Sequence, residues 1–190
     1  MSTADRRTLI VDGATDLIAT RGLRALTHRA LDTALELPAG STSYYFRTKR
    51  ALVEAIVDRI TTRSHTDFLA ADLPASEPGE IAHAIAVWLD RLLAQRRNQL
   101  IARHALIIDL LGDADMHVRL TASLFSHDHA TRLFAGLGSV EPATAAADFI
   151  AVLEGLVFDR FAGMRSTTAT GNSARIAELT RVIEAQLACA

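Results

Sequence analysis

A chain of 190 residues has room for one compact domain, or for a small domain beside a medium one. Its 49 % hydrophobic content excludes wholesale disorder, and no apolar run is long enough to cross a bilayer. The net charge of -2 hides an asymmetry: residues 1–65 hold ten Lys/Arg against seven Asp/Glu, which leaves ten against fifteen for the remainder. In chain order, the polar start from Met1 to Arg7 carries no secretory signal. Over 4–21, Leu9, Ile10, Ala14, Leu17 and Ile18 recur at helical spacing and stop at Gly22. Thr27 is a good N-cap for a short second helix with an apolar face of Ala30, Leu31, Ala34 and Leu35. Pro38 suits the first turn of a third helix. That helix carries Gly40, Ser41, Thr42, Ser43, Tyr44 and Tyr45, hydroxyls and rings with little aliphatic bulk. Such a helix makes poor core but suits the floor of a DNA major groove, where small side chains permit close approach. Arg29 on one side and Arg47, Lys49 and Arg50 on the other frame a helix-turn-helix pattern.

Segment 48–70 continues as a helix with Leu52, Ala55, Ile56, Arg59 and Ile60 at helical spacing before it turns polar, followed by a Pro- and Gly-bearing break from Asp72 to Gly79. Helices are then predicted over 80–96, 98–111, 115–136, 142–165 and 173–188. No segment alternates with period two, so the chain is predicted to be all-α. Between Arg21 and Arg50 six basic residues face only Asp32 and Glu36. A basic lobe on an acidic body draws a polyanion to one end of the molecule.

Residues 8–60 resemble the DNA-binding domain of the tetracycline-repressor (TetR) family. The resemblance is carried by Arg21-Gly22, by Leu26-Thr27, by Ser41 through Phe46, and by Lys49 opening a long fourth helix. Two positions depart from the pattern. The turn is Leu35-Glu36-Leu37, with Glu where a glycine is usual, and Ser43 replaces the usual Tyr. The resemblance implies a three-helix DNA-binding domain over 1–47 and a helical effector-binding and dimerisation domain over 48–190. It also implies that Thr27, His28 and Arg29 lie near phosphates, with Arg29 within reach of a base edge. Ala39, Gly40, Ser41, Ser43 and Tyr44 would face the groove, Tyr45 and Lys49 the DNA backbone, and Phe46 the core.

Segments 142–165 and 173–188 mix small residues with stripes of large ones, including Phe149, Leu153 and Leu156 in the first and Ile176, Leu179 and Ile183 in the second. On pattern alone these stripes fit a four-helix contact between two copies as well as a monomer's own core. The resemblance implies the homodimer contact. The middle helices carry Trp88, His104, Ile108, Phe125 and His129, an apolar set with a few polar groups that fits a small-molecule effector site. A lone histidine on an apolar face is more often a hydrogen-bonded core residue. His127 and His129 point about 200° apart on a helix, so no shared metal ion is expected, and no cofactor motif is present. No phosphate loop, metalloprotease motif or nucleophile elbow occurs, and Ser126, His127 and Asp128 are consecutive and cannot form a triad. The lone Cys189 can form no internal disulfide and fits a reducing cytoplasm. The expected protein is not an enzyme. It is a ligand-responsive transcriptional regulator, a repressor released from a palindromic operator by a small molecule. The alternative is an architectural DNA-binding protein or an activator without such a response.

Overall fold

The computed structural model describes residues 2–69, 77–167 and 171–188, and these are helical without a strand. Cys189 and most of the Asp72–Gly79 break lie outside them. The order is α1 (Thr3–Arg21), a 3-10 turn (Leu23–Ala25), α2 (His28–Ala34), α3 (Ser41–Tyr45) and α4 (Lys49–Leu69). Then come α5 (Pro78–Gln95), α6 (Arg97–Asp109), α7 (Ala114–Thr121), α8 (His127–Gly136), α9 (Pro142–Phe161) and α10 (Ser173–Leu187). The chain divides into two compact units, residues 1–67 with 98–124 and residues 68–97 with 125–190.

The first unit is built on one apolar core. Ile10, Ala14, Leu17 and Ile18 of α1 meet Leu31 of α2, Phe46, and Leu52, Ile56 and Ile60 of α4. Ala102 and Leu106 of α6, with Met116 and Leu120 of α7, complete it. The helix-turn-helix segment therefore shares its core with α4, α6 and α7, and the packing does not divide at residue 47. Ion pairs tie the same helices at their surfaces: Arg59 and Arg63 to Asp12, Arg50 to Asp113, and Arg119 to Asp58.

The single helix predicted over 115–136 is two. α7 ends at Thr121 and α8 begins at His127, with the Ser126 hydroxyl accepting from the His129 N–H as an N-cap. The buried Arg103 of α6 holds the break open by donating to the carbonyls of Leu120 and Thr121 and to the Ser123 hydroxyl. Apolar periodicity runs through such a break unchanged, because both pieces bury the same kind of face. In the second unit α10 packs along α5 and α8 along α9. Phe134 and Phe149 meet edge to face at 5.4 Å, and Trp88 and Phe125 at 6.0 Å.

The turn between α2 and α3 explains the Glu36 departure. Glu36 has φ +52°, the left-handed conformation that favours glycine. The turn thus keeps the geometry of a glycine at that position and accepts the strain of a side chain there, of order 1–3 kcal/mol. Pro38 is not in the first turn of α3. The helix starts at Ser41 with Gly40 at φ +89° as its N-cap, and Pro38 offers its carbonyl to the Ser41 N–H and hydroxyl.

Candidate nucleic-acid interface

α3 has five residues, far too few to hold a helix unaided. Its N-terminal end is tied to α2 by Asp32. One carboxylate oxygen accepts from the Thr42 N–H (2.8 Å) and hydroxyl (2.7 Å), and the other accepts from the Gly40 N–H (2.8 Å). Asp32 is 6 % exposed. Burial alone would raise its pKa, but the bonds from Thr42 and Gly40, helped by nearby His28, outweigh it and hold the carboxyl below its ordinary value. The stability it contributes is therefore present at neutral pH and is lost as pH falls below about 4 and through its folded pKa. At the other end Arg7 of α1 donates to the Tyr45 carbonyl at 2.7 Å, and its guanidinium lies 4.3 Å from the centre of the Phe46 ring.

These contacts decide which face α3 turns outward. Thr42 and Phe46 are buried, whereas Ser43 and Tyr44 are exposed, Tyr44 to 79 %. Gly40, Ser43, Tyr44 and Arg47 border one open hollow of about 400 Å3. The Ser41 hydroxyl donates to the Pro38 carbonyl and the Ser43 hydroxyl to the Gly40 carbonyl, which leaves each oxygen free to accept, the exposed Ser43 on the open face. Acceptors suit the amino groups of adenine and cytosine rather than phosphate. Around this face, no carboxylate among the described residues pairs with Arg29, Arg47 or Lys49. Arg50, by contrast, is held by Glu54 (3.0 Å) and Asp113 (2.7 Å).

The other residues expected at this interface take distinct places. Thr27, Arg29, Ala39, Gly40 and Lys49 are exposed, and Ser41 and Tyr45 are half-buried. The Thr27 hydroxyl N-caps α2 by accepting from the Ala30 N–H. His28 is half-buried, and its Nε2 is enclosed without a hydrogen-bond partner among the described residues. In α2 Leu31 is buried and Ala30 and Leu35 pack against the core as expected, whereas Ala34 is exposed and Asp32 is buried. Two residues escaped the site read from sequence, Asp32 and Arg7, whereas Arg47, read there as one of the framing cations, borders the hollow. An acid one step from the buried Leu31 was the signal for Asp32; nothing local marks Arg7.

The matches to known proteins agree with this geometry. Residues 10–56 match the model of bacterial regulatory proteins of the tetR family, and residues 76–187 that of the tetracyclin repressor-like C-terminal domain. The chain belongs to the TetR family. It is a DNA-binding transcriptional regulator and not an enzyme. Among solved structures it resembles a TetR-family member from Streptomyces coelicolor A3, 22% identical, covering 94% of this chain and 98% of that one at a TM-score of 0.69. A transcriptional regulator from Rhodococcus sp. Rha1 is 16% identical, with coverage of 99% and 95% and a TM-score of 0.75. The multidrug binding protein EbrR complexed with ethidium is 20% identical, with coverage of 95% and 98% and a TM-score of 0.63. A comparison with curated proteins returned no match.

The residues expected at an effector site and at a dimer contact lie elsewhere. Trp88 and Phe125 are both buried and meet edge to face in the second unit, where His129 is exposed and its Nδ1 lies 2.9 Å from the Ser126 hydroxyl. His104 and Ile108 belong to α6 in the first unit; His104 Nδ1 lies 2.9 Å from the Leu100 carbonyl, and Ile108 is 70% exposed. Phe149, Leu153, Leu179 and Ile183 are buried in the second unit's own core, and Leu156 and Ile176 are half-buried. The face that α9 leaves outside carries Ala147, Ala151, Gly155 and the half-exposed Phe158.

Proposed function

We propose that this TetR-family regulator works as a cytoplasmic homodimer that represses transcription from a palindromic operator and is released by a small molecule. The observation that carries the reading is the outward face of α3, Ser43 and Tyr44 beside Arg47 and Lys49, which has no role in the protein's own core. The functional division at residues 47 and 48 belongs to this proposal. One five-residue helix discriminates little, whereas two set about 34 Å apart read two half-sites one DNA turn apart. The second copy would meet α9 on Ala147, Ala151, Gly155 and Phe158, with Leu156 and Ile176 at the margin. Small residues four apart let helix axes approach closely.

An effector need only prefer the dimer in which the two α3 helices are out of register with DNA. A preference of about 1–3 kcal/mol lowers operator affinity roughly 5–150-fold. α4 is the element suited to carry the displacement, since its 21 residues form a continuous helix with α6 and α7 packed on it in the same unit. EbrR, a multidrug binding protein, has been seen with ethidium; a small-molecule effector near Trp88 and Phe125 is the corresponding reading here. Trp88 is the only tryptophan and reports directly. Titrating a library of small compounds against its fluorescence, with and without DNA, is expected to show weaker ligand binding in the presence of operator. Equal affinities in the two titrations would remove the coupling and favour an architectural DNA-binding protein.

A further inference from the structure

We propose that Asp32 and Arg7 are positioning residues that set the rotation of α3 and thereby its choice of DNA sequence, without meeting the DNA themselves. The inference rests on α3 being the helix that reads the groove. A helix of five residues is about 7.5 Å long and has no stable orientation of its own. Here both ends are fixed by charge. Asp32 reaches Gly40 and Thr42 with three bonds of 2.7–2.8 Å, and Arg7 reaches the Tyr45 carbonyl at 2.7 Å.

The two bonds from Thr42 to a single oxygen of Asp32 matter most. They tie both the backbone and the side chain of one residue to α2, so α3 cannot turn about its axis without breaking at least one. Successive side chains on a helix differ by about 100°, so a slip of one position would swing Ser43 and Tyr44 off the outward face. The cations on either side that have no carboxylate partner among the described residues, Arg29 in α2 and Lys49 at the start of α4, are not carried by α3 and would keep their places. Loss of the clamp should therefore spare sequence-independent affinity and reduce discrimination.

The test uses the full-length protein and a duplex that the wild type selects from a randomised pool, with a scrambled duplex of the same composition as reference. Asp32→Ala, Asp32→Asn and Arg7→Gln are each expected to lower the selected-to-scrambled affinity ratio by about tenfold or more, as expected when bonds to a charged group are lost. Their salt slope on the scrambled duplex should equal that of the wild type. Thr42→Ser, which keeps the hydroxyl, should preserve the ratio. Thermal melts followed by circular dichroism keep every comparison on folded protein. If the Asp32 variants do not fold, Arg7→Gln alone decides. An equal loss on both duplexes, an unchanged ratio, or a slope reduced by about one for Arg7→Gln, the mark of a lost phosphate contact, would overturn the proposal. A wild type that selects no duplex would instead refute the reading of α3 itself.

Discussion

Phe46→Ala is expected to destabilise the first unit by about 3–5 kcal/mol, the range for truncating a buried aromatic. Phe46 is 1 % exposed and sits where the end of α3 enters the core shared by α1, α2, α4, α6 and α7. Its ring also lies beneath Arg7, so truncation removes both a core filler and the platform for one end of the α3 clamp. Small domains have only about 5–15 kcal/mol in total, so a substantial share of the fold's margin goes. Phe46→Leu keeps most of the volume and should cost less than about 1.5 kcal/mol. Chemical denaturation of the two variants measures the difference. A loss below about 1 kcal/mol for the alanine variant would show that Phe46 is not the packing centre described here.

Asp90→Ala is expected to cost a similar amount, about 3–5 kcal/mol, through the loss of a buried counter-charge. Asp90 is 4 % exposed and Arg175 3 %, and Oδ1 lies 3.1 Å from Nε. No hydrogen bond joins these two atoms, so their attraction is that of an ion pair. The other oxygen accepts from the Gly171 N–H at 2.8 Å and ties down the approach to α10. Nearby Arg160 is also buried; burial, followed by the charges of Arg175 and Arg165 against those of Glu178 and Asp159, lowers its pKa. Removing Asp90 therefore leaves two buried cations with one counter-charge fewer. Replacing the pair together, Asp90→Ala with Arg175→Met, should recover much of the loss, because a hydrophobic substitute for a buried ion pair is often neutral. A double-mutant cycle with no coupling would contradict the pairing.

The fold was legible where burial follows a local rule. α1, α5 and α10 announce themselves because their apolar residues repeat at helical spacing and a cap or a break ends each run. At Glu36 the sequence showed only a departure, a side chain where the resemblance expects glycine; that the backbone keeps the glycine-like positive φ there came from the structure. Legibility failed wherever the decisive partner is distant in sequence. Asp32 reads as an exposed acid until Thr42 is folded onto it ten residues later, and the partner of Arg7 lies 38 residues away. The break between α7 and α8 depends on Arg103 reaching Leu120, which no window of the sequence contains. On α9 and α10 the stripe of large residues satisfied two descriptions equally. Only the packing assigns Phe149, Leu153, Leu179 and Ile183 to the unit's own core and leaves the small residues of α9 outside.

The salt dependence of DNA binding by the wild type, Lys49→Ala and Tyr44→Ala tests the docking of α3 most directly. Lys49 opens α4, where a cation opposes the helix dipole, so its removal should not cost stability and any loss of binding is a loss of contact. Lys49→Ala is expected to weaken binding to every duplex and to flatten the plot of log affinity against log salt by about one unit. Tyr44→Ala should keep the slope and change which duplex the protein prefers. Unchanged affinity and slope for Lys49→Ala, together with an unchanged ranking of duplexes for Tyr44→Ala, would place the DNA on another face of the protein.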